Sequence, residues 1–262
     1  MARRTFFGNV RIALLLTVLA FVAANAWLDR RHSTEWDHTL RVTIYPLAVS
    51  GDPGVREYVG QLDAENYSGI PEFFSRQAAD YGVTLDEPVR VRVSHAVRDA
   101  PPVLGERPSY LSVILWSLRM RYWAWRVAVD DPLPPPDVQV FALYHPGDSP
   151  GALPDSVGTT KGLMAIAHLF AQSGAAGSNE MVIAHELLHT LGATDKYDRA
   201  TGLPLVPDGL GDAVQRPQYP QQTGEIMAGR IAVSPSRAEI PQSLNEMRVG
   251  AATAREIGWS RQ

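Results

Sequence analysis

Along the chain, apolar and polar positions change their period several times, and each change marks an element. Ile12 to Leu28 runs without a charge, which predicts one helix with the character of a membrane span or signal segment. Thr39 to Val49 alternates over its first half, predicting a strand that ends at the turn residues Gly51-Asp52-Pro53-Gly54. From Val55 to Gly82 the period lengthens to that of a helix, most clearly over Pro71 to Tyr81, with Gly82 as the stop. Val89 to Val97 alternates strictly and predicts a half-buried strand. Strand, helix, strand implies a right-handed crossover in a mixed sheet.

The second half continues the pattern. Tyr110 to Val127 predicts one helix; its three tryptophans and its arginines allow a membrane-surface role, but the preferred expectation is packing on the sheet with the arginines in water. Asp131 to Asp137 is a stiff, proline-rich connector, Asp137 to Tyr144 a strand, and Gly158 to Ala171 a loop leading into a further apolar strand. Gly174 to Asn179 is a small-residue turn in which Ser178 or Asn179 caps the next helix, with Glu180 complementing the dipole of its first turn. Thr201 to Gly224 is rich in proline and glycine and predicts irregular loops. Gly224 to Gly229 reads as a tight turn with a buried Met227, and Pro241 to Trp259 as a carboxy-terminal helix capped by Ser243 and stopped at Gly258. The sum is an α+β domain over 39–262 built on a mixed, twisted sheet, preceded by a polar tether over 29–38 and an anchor over 1–28.

Composition narrows the function. The 262 residues include no cysteine, which excludes disulfides, thiolate metal sites and cysteine nucleophiles. A net charge of -4 without a basic block gives no sign of nucleic-acid binding, and the oligomeric state is not legible. Arg3, Arg4 and Arg11 before the apolar run predict a cytoplasmic amino terminus and an exported domain. Ala24-Asn25-Ala26 would permit cleavage and secretion, whereas Trp27 and Asp29-Arg30-Arg31 suit an uncleaved anchor, the preferred expectation.

The chemistry concentrates between Glu180 and Asp195. On a helix, His185 and His189 lie one turn apart on the same face, so both imidazoles reach one ion, and Glu186 projects beside them. That is the donor set of a hydrolytic zinc site: two neutral nitrogens hold Zn2+, and a carboxylate takes a proton from water on the ion. Gly192 permits a sharp exit turn, and Asp195 follows closely enough to fold back as an oxygen ligand, giving H-E-x-x-H-x-x-G-x-x-D. The strand before this helix is placed to pair with an extended peptide substrate. Glu225 or another downstream carboxylate is the alternative third ligand. A tethered binding or assembly module with a structural zinc is the alternative of a different class, and Glu186 argues against it, since a structural site needs no base. His32, His38, His95 and His168 read as solvated or structural, and Asp208 to Asp212 lacks the spacing of a calcium loop.

These residues resemble the metzincin group of zinc endopeptidases. His185, Glu186, His189 and Gly192 match its motif, and Asp195 stands in the place of the usual third histidine. The aspartate variant is similar to that of snapalysin-type bacterial proteases, while Asp195-Lys196-Tyr197-Asp198 and Ile257-Gly258-Trp259 resemble the immune-inhibitor-A type. Glu225-Ile226-Met227-Ala228 is similar to the methionine turn beneath zinc in this group. The resemblance covers the last third of the chain. It implies a zincin-like fold with an active-site helix and a carboxy-terminal helix, zinc on His185, His189 and Asp195, Glu186 as base, Met227 as a structural floor, and peptide or protein substrates. Gly229 departs from it, since some families place a tyrosine there; Tyr197 is expected to pack near the helix exit.

Overall fold

The alternation after Thr39 becomes strand β1 (Leu40–Ala48), around which the sheet is arranged. In the computed structural model, which describes residues 11, 16, 17, 35–97, 99–105, 109–147, 153, 154, 156–159 and 163–260, β1 pairs in parallel with β2 (Val89–Val93) and β3 (Val138–Pro146). Strand β4 (Val157–Thr159) runs antiparallel to β5 (Met164–Ala171), which is itself parallel to β3, so the order is β2-β1-β3-β5-β4. The chain is therefore of mixed α and β structure around a mixed five-stranded sheet.

A parallel sheet must be covered on both faces, and the alternation in β1 shows how. Val42 and Ile44, with Val140 and Ala142 of β3, face helices α1 (Pro53–Gly60) and α2 (Gly69–Asp80), where Ile70, Phe73 and Phe74 are fully buried. Each such side chain contributes roughly 1.5–3 kcal/mol. Tyr45, Leu47, Phe141 and Leu143 face the other way, against Met120 and Ala124 of α3 (Tyr110–Asp130). The chain moves from β1 out to β2 and then back across β1 to β3, and right-handed crossovers in opposite directions lie on opposite faces. That reversal separates α3 from α1 and α2.

Helix α4 (Ala176–Thr190) follows β5 on the α1 and α2 side. Past a long irregular segment come β6 (Gly224–Glu225), the hairpin of β7 (Ile231–Ser234) and β8 (Arg237–Glu239), β9 (Met247–Arg248) and α5 (Ala251–Glu256). As expected from their composition, residues 201–223 form no helix or extended strand.

Several expectations need correction. The helical run Val55 to Gly82 is two helices, broken at a turn where Asp63 N–H donates to Asn66 Oδ1 and Asp63 Oδ1 accepts from Glu65 N–H; Gly82, with φ of 75°, does end it. The carboxy-terminal helix expected over Pro241 to Trp259 is largely absent. The Arg248 carbonyl accepts from Ile226 N–H at 2.9 Å and Val249 N–H donates to Gln77 Oε1 at 2.8 Å, so tertiary partners hold the groups a helix would need, and the stretch keeps one 3-10 turn at Leu244–Glu246 and the short α-helix Ala251–Glu256. Gly258 still terminates it, with φ of 82°. Helix α4 starts at Ala176, upstream of both expected caps: Ser178 Oγ donates back to Ala175 O, and Asn179 instead bridges the backbone N–H and C=O of Phe170, pinning α4 to β5. Glu180 accordingly falls beyond the first turn it was expected to complement, and it accepts instead from Gly69 N–H at 2.8 Å, at the start of α2.

The folded domain also takes in Trp36, inside the stretch read as tether. Its indole donates to Ile257 O at 2.7 Å and packs against Trp259. Among the described residues no helix is long and apolar enough to cross a membrane. The anchor expected over 1–28 lies outside them apart from residues 11, 16 and 17.

Candidate metal site

Helix α4 buries Ile183, Ala184, Leu187 and Leu188 completely, and this apolar stripe fixes the helix's rotation about its axis. His185 and His189 then fall together on the side that faces the cleft, their rings edge to face with centroids 4.7 Å apart. Backbone carbonyls hold each ring. His185 Nδ1 donates to Ile226 O at 2.9 Å, and His189 Nδ1 donates to Ala193 O at 2.8 Å. With Nδ1 protonated, each neutral ring turns an Nε2 lone pair outward, the state a metal ligand needs.

Gly192 allows the exit turn. Its φ of 104° lets Ala193 N–H return to Leu188 O at 3.0 Å, which puts the Ala193 carbonyl under His189 and carries Asp195 back over the helix. Asp195 Oδ1 lies 3.0 Å from His189 Nε2 and 3.4 Å from His185 Nε2, and Arg199 holds Oδ2 at 3.1 Å. The neighbouring His185 imidazole first, and then Arg199, keep the Asp195 carboxyl well below the usual range, against burial that raises it.

These three residues form a group that could hold a metal ion, with one ligand atom from each lying within 4.8 Å of the others. The fit is chemical as well as spatial. Two imidazole nitrogens converge with a carboxylate oxygen that is buried and has no hydrogen-bond partner, while the guanidinium of Arg199 holds only the other oxygen. Nitrogen and oxygen donors about 2.0–2.1 Å from a tetrahedral ion stand roughly 3.3 Å apart, which the 3.0 and 3.4 Å separations bracket.

Glu186 lines the same cleft, of about 510 Å³, with Ser156, Val157, Gly158, Tyr197 and Arg199. One of its oxygens is buried without a partner. Burial pushes its carboxyl up to about 7; His185 and a hydrogen bond from Gly158 N–H oppose the rise and the Asp195 charge adds to it. A carboxylate so placed is suited to general-base work near neutral pH.

The remaining expected residues fall around this group. Met227 is fully buried in the turn after β6, its carbonyl accepting from Lys196 N–H at 2.9 Å, while the neighbouring Ile226 carbonyl supports His185. Glu225 lies outside the ligand group. It is fully buried, and its oxygens accept from Thr253 Oγ1 at 2.6 Å, Ala228 N–H at 3.0 Å and Gly250 N–H at 3.2 Å, so it ties the turn to the start of α5. Gly229 has φ of 66°, a conformation that suits glycine. Tyr197 lines the cleft itself, nearer the chemistry than its expected place at the helix exit. His168 and His145 bond to each other at 2.9 Å on the sheet, and His95 bonds Leu62 O.

Two features carry no signal in the sequence. The first is the edge strand. β5 was the expected wall of the cleft, but β4 lies outside it and presses on the metal helix: a Cβ on Gly158 would collide with the Glu186 carbonyl and the His189 Cβ. Gly158→Ala is therefore expected to cost about 1–3 kcal/mol in stability and to displace Glu186, read as a lower urea midpoint together with lost activity.

The second is a latch. Lys196 Nζ bonds both Glu256 oxygens, at 2.8 and 2.9 Å, and the carbonyl and hydroxyl of Thr194, joining the helix exit to α5. Burial alone would raise the Glu256 carboxyl, but Lys196 and Thr194 outweigh it and leave it below its ordinary 4.5. A depressed folded value means that the latch stabilises the fold above that ordinary value and stops doing so as pH falls through the folded one. In chelator-treated protein, the stability gap between wild type and Glu256→Gln is expected to be largest at neutral pH and to close below pH 4.5; a gap that stays constant down to acid pH would contradict the latch.

No protein-family model matches the chain, and no curated protein matches it in sequence.

Proposed function

We propose that the chain is a zinc-dependent endopeptidase of metzincin type, anchored by its amino-terminal segment with the domain outside the cytoplasm, and acting on peptide or protein substrates. The observation that carries this is the convergence of His185 Nε2, His189 Nε2 and Asp195 Oδ1 beside the partly unpartnered carboxylate of Glu186. Zinc held there would polarise the scissile carbonyl as a Lewis acid and acidify water. Glu186 takes the proton of the attacking water and hands it to the leaving amine. Asp195 lowers the charge of the donor set relative to a third histidine, which leaves more of the proton transfer to Glu186. Among the described residues β4 is paired on one side only, by β5, and its open edge borders the cleft, where an extended peptide can add as a further strand.

A structural zinc in a binding module is the weaker reading. Structural sites close with four protein ligands, whereas this group, among the described residues, has three.

The test is metal analysis of the purified full-length chain, alongside cleavage of casein and a broad peptide library with and without 1,10-phenanthroline. One zinc per chain and chelator-sensitive cleavage are expected. Bound zinc without any chelator-sensitive cleavage would transfer support to the binding module, and absence of bound metal would remove both.

A further inference from the structure

We infer that the outward face of α3 lies in the interface of an anionic lipid bilayer, giving the domain a peripheral membrane contact of its own. This does not depend on the chemistry of the metal site.

Of the 21 residues of α3 only Met120 and Ala124 are buried, against the sheet. On the opposite side Leu111, Leu115, Leu118, Tyr122, Trp125 and Val129 recur at spacings of three and four, and all are 55–71% exposed. At about 100° per residue they fall within one arc, roughly 180° from Met120 and Ala124. The helix is thus apolar on both faces, and a continuous exposed stripe of this size marks an interaction surface.

Charge and residue type identify what covers it. Tyr110 to Val129 contains no Asp or Glu. Arg119 and Arg126 border the stripe on one side and Arg121 on the other; Arg126 also pairs with Asp130 at 3.3 Å. Leucines between tryptophan and tyrosine, flanked by arginines, suit the level of lipid headgroups, where apolar faces sink in and guanidinium groups meet lipid phosphates. The helix is not apolar enough to cross a membrane, so it lies along the surface.

The course of the chain points the same way. Only seven residues separate Leu28, the end of the apolar amino-terminal run, from the buried Trp36, so the eight steps between them reach roughly 26–29 Å. With that run in a bilayer, the domain cannot leave the surface.

The chain has no cysteine, so one introduced thiol reports one place. Full-length Leu118→Cys carries an environment-sensitive fluorophore in vesicles of phosphatidylcholine and phosphatidylglycerol, with Ser236→Cys, in the exposed turn between β7 and β8, as the reference. The label at 118 is expected to shift to the blue and to be quenched by shallow spin-labelled lipid at least about twofold more than the label at 236. Arg119→Glu with Arg126→Glu should weaken docking on the order of 25-fold, and vesicles of phosphatidylcholine alone should weaken it as well. A label at 118 as open to iodide as the one at 236 overturns the inference. So does a label shielded from iodide but not quenched by lipid, which would mean that protein covers the face, and a cross-link between two chains through the thiol introduced at 118 would identify a second copy as that cover. Leu118 is 59% exposed, and an unchanged urea midpoint confirms that the substitution leaves the fold intact.

Discussion

Glu186→Gln is expected to keep its metal and lose turnover, with kcat falling by roughly 10²–10⁴-fold. Glutamine has the shape of glutamate and keeps a carbonyl oxygen for the Gly158 N–H, so the helix and the ligand rings stay where they are. What it lacks is the ability to take a proton. Burial already opposes a charge at this position, so the neutral side chain should not destabilise the fold. The measurement pairs metal content with kcat and KM: a fall in kcat at unchanged stoichiometry and nearly unchanged KM is the signature of a lost base. Wild-type turnover in this variant would remove Glu186 from the mechanism.

Asp195→Ala and Glu225→Ala are expected to fail in opposite ways. Loss of an outer partner of a ligand typically costs 10–100-fold in metal affinity, so loss of Asp195 itself should cost more than about 100-fold, with the fold kept. Asp195 is surface-connected through Arg199, whose side chain is 83% exposed, and its removal leaves no buried donor unpaired. Glu225→Ala strands the buried Thr253 hydroxyl and the part-buried Gly250 N–H, while Ala228 N–H keeps the backbone carbonyl of residue 225. Unsatisfied buried groups cost about 1–3 kcal/mol each, so a loss of about 2 kcal/mol or more is expected, read as a lower urea midpoint. Metal per folded chain should not change. A folded Glu225→Ala protein without metal, together with an Asp195→Ala protein that retains it, would reassign the third ligand.

The contrast between these two carboxylates shows where local pattern stops being informative. Both follow the histidine pair, and both stand next to residues with a recognisable role. What separates them is the set of donors around each. Thr253 and Gly250 come to Glu225 from more than twenty residues downstream, and nothing near Glu225 in sequence announces them. The carboxy-terminal segment repeats the point: Pro241 to Trp259 has helical spacing, yet the backbone of Arg248 and Val249 is taken by Ile226 and Gln77. Propensity is a weak preference that such pairings override. Helix α3 is the reverse case. Its start and approximate length were legible, but a pattern that is apolar all round could not say that Met120 and Ala124 would face the sheet and the opposite side be left open.

By itself the sequence determined what depends on neighbours within one or two turns. The strands β1, β2 and β3, the rotation of α4, the shared face of His185 and His189, and the positive φ at Gly192 and Gly258 all follow from spacing or from the conformational range of one residue. Only the tertiary structure decided which carbonyl fixes each imidazole, that β4 and not β5 forms the edge over the cleft, that Lys196 and Glu256 latch the helix exit, and that Asp195 rather than Glu225 reaches the histidines. The physical reason is range. A helical or strand period is set by the backbone geometry of adjacent residues, whereas a buried hydrogen bond between segments forty or sixty residues apart depends on where the whole sheet places them.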